Sequence, residues 1–77
     1  MATKKIKLTF PQELIKEPMI FAMAHKFKVM PNIRRCKVME SVGEVMLELE
    51  GAESNLEQSI AYLKDRGVTV EFAVEDV

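Results

Sequence analysis

The chain has 77 residues, and this length favours one small domain spanning residues 1–77. Its formal net charge is −1, so the composition favours neither a general nucleic-acid binder nor a binder of anionic membranes, since both need a basic surplus. A single cysteine, Cys36, excludes a disulfide within the chain and indicates a reducing cytoplasm. No apolar run is long enough to span a bilayer, and we expect neither membrane insertion nor a signal peptide.

The first two elements follow from the spacing of apolar residues. Residues 4–10 alternate apolar and polar side chains, which predicts a half-buried strand. Pro18 then suits the first turn of a helix. The apolar stripe of this helix comprises Ile20, Met23, Ala24 and Phe27. Met19 and Phe21 fall off the stripe, so we expect them at the edge of the domain or in an interface.

A predicted hairpin forms the middle of the chain. Pro31 ends the first helix, and residues 32–41 are predicted to form the second strand. Cys36 falls on the inward parity of this strand, where we expect it to be a small buried apolar residue. Gly43 is expected to take a positive φ in a tight turn. The third strand then runs until Gly51 interrupts it.

The last two elements carry both start and stop signals. Ser54 and Glu57 have the spacing of a capping box, which predicts the start of the second helix. Its apolar stripe comprises Leu56, Ile60 and Leu63. Gly67 suits the left-handed position just past the helix end. The last strand then presents Val68, Val70, Phe72 and Val74 to the core.

The resulting order β-α-β-β-α-β predicts an α+β fold of the ferredoxin-like sandwich type. Right-handed crossovers give a four-stranded antiparallel sheet in the order 4-1-3-2, with two helices on one face. The outward residues support this order, because strands 4, 1, 3 and 2 then alternate acidic, basic, acidic and basic. Opposite charges on neighbouring strands favour pairing by roughly 0.2–1 kcal/mol per pair. The outer face is therefore expected to be exposed to solvent and to carry ion pairs between neighbouring strands.

No feature of the sequence indicates catalysis or a cofactor, and we expect neither. Outward-facing aromatic residues, on which RNA-binding domains of this fold stack bases, are missing from the predicted sheet. One cysteine cannot supply a Cys-x-x-Cys copper loop or an iron–sulfur cluster. His25 lies outside the helical stripe without a second metal ligand nearby in the pattern. The three glycines are isolated and form no phosphate-binding loop.

Residues 29–72, "VMPNIRRCKVMESVGEVMLELEGAESNLEQSIAYLKDRGVTVEF", resemble the NIL domain family. The family is named for an Asn-Ile-Leu at the start of strand 2. The resemblance extends upstream through "EPMIFAMAHKF", which is similar to the family's proline-started first helix. Asn32 and Ile33 match the name-giving motif, whereas Arg34 stands where the family has leucine.

This resemblance implies a small regulatory module that senses an amino acid, methionine or a related sulfur compound. NIL domains occur at the C-terminus of methionine-importing ABC transporter ATPases and joined to ferredoxin modules. In the transporters, the domain is thought to bind methionine near a dimer interface. The implied ligand-binding residues are Asn32, Ile33 and Arg34, and the amide of Asn32 can donate to a carboxylate and accept from an ammonium group.

The sequence allows two interpretations of Arg34. By strand parity the side chain points toward the helix-covered face, where it either snorkels out at the sheet edge or lines a pocket suited to a carboxylate. The alternative function is a non-enzymatic interaction module that docks on a transporter or ferredoxin-type partner. We expect a homodimer, because the small core, the exposed edge strand 2 and the off-stripe Met19 and Phe21 all favour association.

Overall fold

A computed structural model of the protein describes residues 2–12 and 18–72. The elements are β1 (Ala2–Pro11), α1 (Met19–Phe27), β2 (Met30–Val38), β3 (Val42–Gly51), α2 (Glu53–Asp65) and β4 (Thr69–Phe72). The strands form one sheet in the order β2-β3-β1-β4, and each neighbouring pair is antiparallel. The ferredoxin-like α+β sandwich is therefore confirmed, with the predicted strand order. Val74, expected on the last strand, lies outside the described residues.

The core lies between one face of the sheet and the two helices. Alternate residues of the central strands β1 and β3 face it, since successive side chains of a strand point to opposite faces. These are Ile6, Leu8, Phe10, Val45, Leu47 and Leu49. The helix α2 closes the core with the predicted stripe of Leu56, Ile60 and Leu63. Within the described ranges, neither helix is long and apolar enough to cross a membrane.

The buried face of α1 differs from the predicted stripe. Met19 is 3% exposed and Met23 is fully buried, whereas Ile20 lies only partly buried at the flank. The expectation that Met19 lies off the core is therefore wrong. The two methionines are four residues apart and stack on one side of the helix, and this side faces the sheet. Phe21 lies off the buried face as expected, with 73% of its surface exposed.

The start of α2 does not use the predicted capping box. The helix begins at Glu53, and Ala52 occupies the capping position without a side-chain hydrogen bond. Ser54 is already inside the first turn, so its hydroxyl cannot act as the cap. The carbonyl of Ala52 accepts the first helical hydrogen bond from the amide of Leu56 at 2.9 Å.

The end of α2 confirms the predicted role of Gly67. This glycine has a φ of 98°, a conformation that residues with a Cβ rarely adopt. Its amide donates to the carbonyl of Lys64 at 3.1 Å, and the amide of Val68 donates to the carbonyl of Leu63 at 3.0 Å. The two bonds form a Schellman motif, which turns the chain from the helix into β4 with Val68 buried against the core.

The hairpin between β2 and β3 corrects the prediction for Gly43. Residues 39–41 make the connection, and the amide of Met39 donates to the carbonyl of Val42 at 2.8 Å. Gly43 lies within β3, opposite Val38 and Phe10, and among the described glycines only Gly67 has a positive φ. A three-residue connection reverses the chain before Gly43, so that residue needs no special conformation.

Candidate ligand-binding site

A β-bulge interrupts the edge strand β2 at Arg34. Ile33 pairs with Leu47, and Arg35 pairs with Met46. Leu47 and Met46 are consecutive residues of β3, whereas Arg34 lies between Ile33 and Arg35 on β2. Two residues of β2 therefore face one residue of β3, which is the definition of a bulge. The side-chain alternation shifts by one position at this point, because Arg34 is the inserted residue.

The bulge reverses the predicted orientation of Arg34. Its guanidinium Nη1 lies 3.6 Å from Oε1 of Glu48, on the open face of the sheet. Strand parity, counted back from Cys36 without a bulge, placed this side chain on the helix-covered face, and that prediction is wrong. Neither of the two interpretations therefore holds: Arg34 does not snorkel out of the core, and it does not line a pocket beneath the helices.

Asn32 and Arg34 come together around Glu48. Asn32 pairs directly with Glu48 across the two strands and is exposed. On the other side, Lys5 Nζ lies 3.9 Å from Oε2 of the same carboxylate. The side chain of Glu48 is only 18% exposed, since its neighbours from β1 and β2 flank it. These four residues, Lys5, Asn32, Arg34 and Glu48, are called the edge cluster below.

Ile33, the third predicted site residue, lies apart from the edge cluster. Its cross-strand partner Leu47 is a core residue with 1% of its surface exposed, so Ile33 belongs to the helix side of the sheet. It remains 57% exposed because β2 extends beyond the cover of the helices. The sequence did not single out Glu48 as a candidate site residue. The predicted pairing of the acidic third strand with basic strands could have pointed to Glu48. The sequence could not predict the register that places Glu48 opposite Asn32.

An apolar groove lies at the opposite end of β2, next to the start of α1. It has a volume of about 190 Å³ and is lined by Phe10, Pro18, Met19, Ile20, Phe21, Cys36, Val38, Gly43 and Val45. None of the three predicted site residues is among these. The groove lies several residues along β2 from Asn32, so the edge cluster and the groove are separate features.

Cys36 lines this groove and is exposed, which contradicts its predicted burial. Its predicted face is correct, since it pairs with the core residue Val45. Burial fails because an edge strand has a neighbour on one side only and the helices lie over the middle of the sheet. Pro31 is the one residue of β2 that is partly buried, and the other residues of this strand are exposed.

The described residues offer no preformed metal site. Within residues 2–12 and 18–72, no three His, Cys, Asp or Glu side chains are close enough together to hold an ion. The polar groups of the edge cluster are instead suited to an organic ligand that carries both charges.

Fold and site together define a ferredoxin-like sandwich domain with a charged cluster on an exposed sheet edge. The chain belongs to the NIL domain family, whose family model matches residues 4–72. It is 32% identical, over 72 residues and 88% of its length, to the methionine import ATP-binding protein MetN 1 of Listeria innocua serovar 6a. The chain spans only 21% of the length of that relative.

Solved structures agree with this assignment. The C-terminal domain of an ABC transporter ATP-binding protein from Enterococcus faecalis superposes with a TM-score of 0.82 and 25% identity, covering 95% of this chain and 86% of that one. The de novo designed protein Foldit4 has a TM-score of 0.56 and 11% identity, covering 96% of this chain and 97% of the design. The likeness to Foldit4 concerns the fold alone.

Proposed function

We propose that the protein is a regulatory module that binds an amino acid at the edge cluster and acts on a transporter partner in the cytoplasm. Membership of the NIL family and the relationship to a methionine import ATP-binding protein support a role in amino-acid transport. The observation that carries the proposal is the arrangement of Arg34 and Glu48, 3.6 Å apart, with Asn32 directly across from Glu48.

The edge cluster matches the charges of a free amino acid. The guanidinium of Arg34 can pair with the ligand carboxylate through two parallel hydrogen bonds, and the carboxylate of Glu48 can accept from the ligand ammonium group. The amide of Asn32 donates and accepts at once, so it can contact both groups. The Arg34 side chain is 51% exposed and is therefore accessible to a ligand from solvent. The name of the relative from Listeria favours methionine or a related sulfur compound as the ligand.

Regulation follows from linkage between ligand and partner. A ligand that binds one arrangement of the domain and its partner more tightly shifts the population toward that arrangement, and the partner changes the ligand affinity by the same factor. The domain itself needs no catalytic group for this role. Its ligand affinity is expected to change when the partner is present.

The test is calorimetric titration of the protein with a panel of amino acids that includes methionine. Asn32→Ala should weaken binding by about tenfold to a hundredfold, because one hydrogen bond to a charged group is lost. Arg34→Lys should weaken it by about tenfold, since an ammonium group cannot reproduce the two-bond contact. Gln58→Ala removes an exposed amide from α2 and is the control that should leave binding unchanged.

Melting temperatures of the same variants separate a binding role from a structural one. If Asn32 serves the ligand, Asn32→Ala should melt close to the wild type, because the residue is exposed and buries no apolar area. A destabilised Asn32→Ala variant, together with a wild type that binds no amino acid or thiol, would refute the sensing function.

A second candidate function is homodimerisation through β2. Among residues 2–12 and 18–72, four of the six exposed large hydrophobic residues lie on β2 or in the loop after it: Met30, Ile33, Val38 and Met39. Phe21 lies beside one of these residues, Val38, at the apolar groove. Two copies of an edge strand can pair antiparallel about a two-fold axis, and the pairing buries the same patch on both copies. The second copy of the chain is therefore the occupant that we propose for this edge.

Sedimentation tests the dimer with a matched pair of variants. Val38→Lys places a charge on the β2 edge and should shift the protein to monomer. Phe72→Lys makes the same change on an exposed apolar residue of the opposite edge strand, and it should leave the dimer intact. A wild type that is monomeric at high micromolar concentration would contradict this second function.

A further inference from the structure

A second charged region lies on the open face of the sheet, beyond the bulge and separate from the edge cluster. Lys7, Arg35, Lys37, Glu44 and Met46 line a concavity of about 330 Å³ there. Met46 forms its centre, because it pairs with Lys7 on one side and with Arg35 on the other. Lys37 and Glu44 are paired in the same way across β2 and β3.

The charges around this concavity do not balance. Lys7 Nζ lies 3.7 Å from Oε2 of Glu44, so one cation is matched by the one carboxylate. Arg35 and Lys37 are exposed, and neither forms a salt bridge to any residue within 2–12 and 18–72. Lys7 also has Glu71 as its cross-strand partner on β4, so the two positive charges that no carboxylate matches are those of Arg35 and Lys37, although the whole chain carries a net charge of −1. A bound anion with two charges would relieve the mutual repulsion of these cations.

We infer that this concavity is a binding site for a phosphate group. A phosphate carries close to two negative charges at neutral pH and presents oxygens in the geometry that a guanidinium fork matches. Lys7 and Lys37 supply point charges on either side of Arg35. The thioether of Met46 offers an apolar surface between them, which suits the organic part of a phosphorylated small molecule. This site is independent of the proposed amino-acid site, because the two share no residue.

Nuclear magnetic resonance titration at constant ionic strength provides the test. Inorganic phosphate replaces chloride in one series, and adenosine diphosphate is the titrant in a second. Saturable shifts of the amides of residues 35–37 and 44–46, absent with chloride alone, are expected in at least one series. Saturation with both titrants, or with phosphate alone, assigns the site to free phosphate. Saturation with adenosine diphosphate alone assigns it to an organic phosphate.

Two double variants with the same change of charge serve as test and control. Arg35→Gln with Lys37→Gln should weaken binding by about tenfold or more, because two charge-assisted contacts are lost. Lys28→Gln with Lys64→Gln alters exposed residues outside the sheet and should leave the affinity within about twofold. Amino-acid binding at the edge cluster should be the same in both double variants.

Three results would overturn the phosphate site. The first is the lack of saturable shifts with either titrant, and the second is an equal loss of affinity in both double variants. The third is a set of shifts centred on the helices instead of on β2 and β3. Each of these results leaves the amino-acid proposal standing, since that proposal rests on Asn32, Arg34 and Glu48.

Discussion

Cys36 and Val45 are cross-strand partners on the same face of the sheet, yet Val45 is 7% exposed and therefore buried, whereas Cys36 is exposed. The difference arises because Val45 belongs to β3, which has a strand on each side, whereas Cys36 belongs to the edge strand β2. Position across the sheet, more than the face alone, therefore decides burial in this domain.

The first prediction concerns the reactivity of this thiol. A thiol reagent should label Cys36 in the native monomer within severalfold of its rate in denaturant, because the side chain lines an open groove. The control is Val45→Cys in a Cys36→Ala background, which places the thiol at the buried partner position. Labelling of that variant should be slow and limited by opening of the fold. Equal rates for the two thiols would contradict the difference in burial.

The second prediction compares Met19 and Phe21, two neighbours on α1 that differ sharply in burial. Met19→Ala should lower the free energy of unfolding by about 2–5 kcal/mol, since it leaves a cavity in the core. Phe21→Ala should change it by no more than about 0.5 kcal/mol, because that ring is 73% exposed. Urea denaturation of the two variants measures both values. A larger loss that grows with protein concentration would place Phe21 in the proposed dimer interface, whereas a larger loss that is independent of concentration would contradict its exposure.

The third prediction concerns the end of α2. Gly67→Ala should cost about 1–2 kcal/mol in unfolding free energy, because a φ of 98° brings an alanine Cβ into conflict with its own backbone. Gly67→Asn is the matched variant and should cost less, since asparagine tolerates the left-handed region better than alanine does. Thermal or urea denaturation distinguishes the two. Equal stability of the wild type and Gly67→Ala would show that the Schellman ending does not require glycine.

The fourth prediction concerns the carboxylate shared by Lys5 and Arg34. Glu48→Gln should lower the free energy of unfolding by less than about 1 kcal/mol, because both partners are partly exposed and solvent screens the pairs. The loss should shrink further as the salt concentration rises. Glu50→Gln, an exposed carboxylate on the same strand, is the control and should have a smaller effect at low salt. A loss that is independent of salt would indicate a packing role for Glu48.

Local sequence patterns determined most of the fold. The alternation of residues 4–10, the stripe of α2 and the left-handed position of Gly67 each predicted what the structure shows, since each depends on neighbours in the chain. The alternation of charge between strands also supported the predicted sheet order, because cross-strand pairs such as Lys5 with Glu48 depend on which strands are adjacent.

The features that the sequence did not determine depend on tertiary packing. The rotation of α1 buries Met19 instead of placing it off the core, and the three-residue hairpin makes a special conformation of Gly43 unnecessary. The decisive case is the bulge at Arg34. A period of two residues predicts the face of a side chain only while the register holds, and one inserted residue moved Arg34 to the open face beside Glu48. Only pairing with β3 sets this register. The sequence could therefore indicate Asn32 and Arg34 as candidates, but only the tertiary structure placed both beside the carboxylate of Glu48.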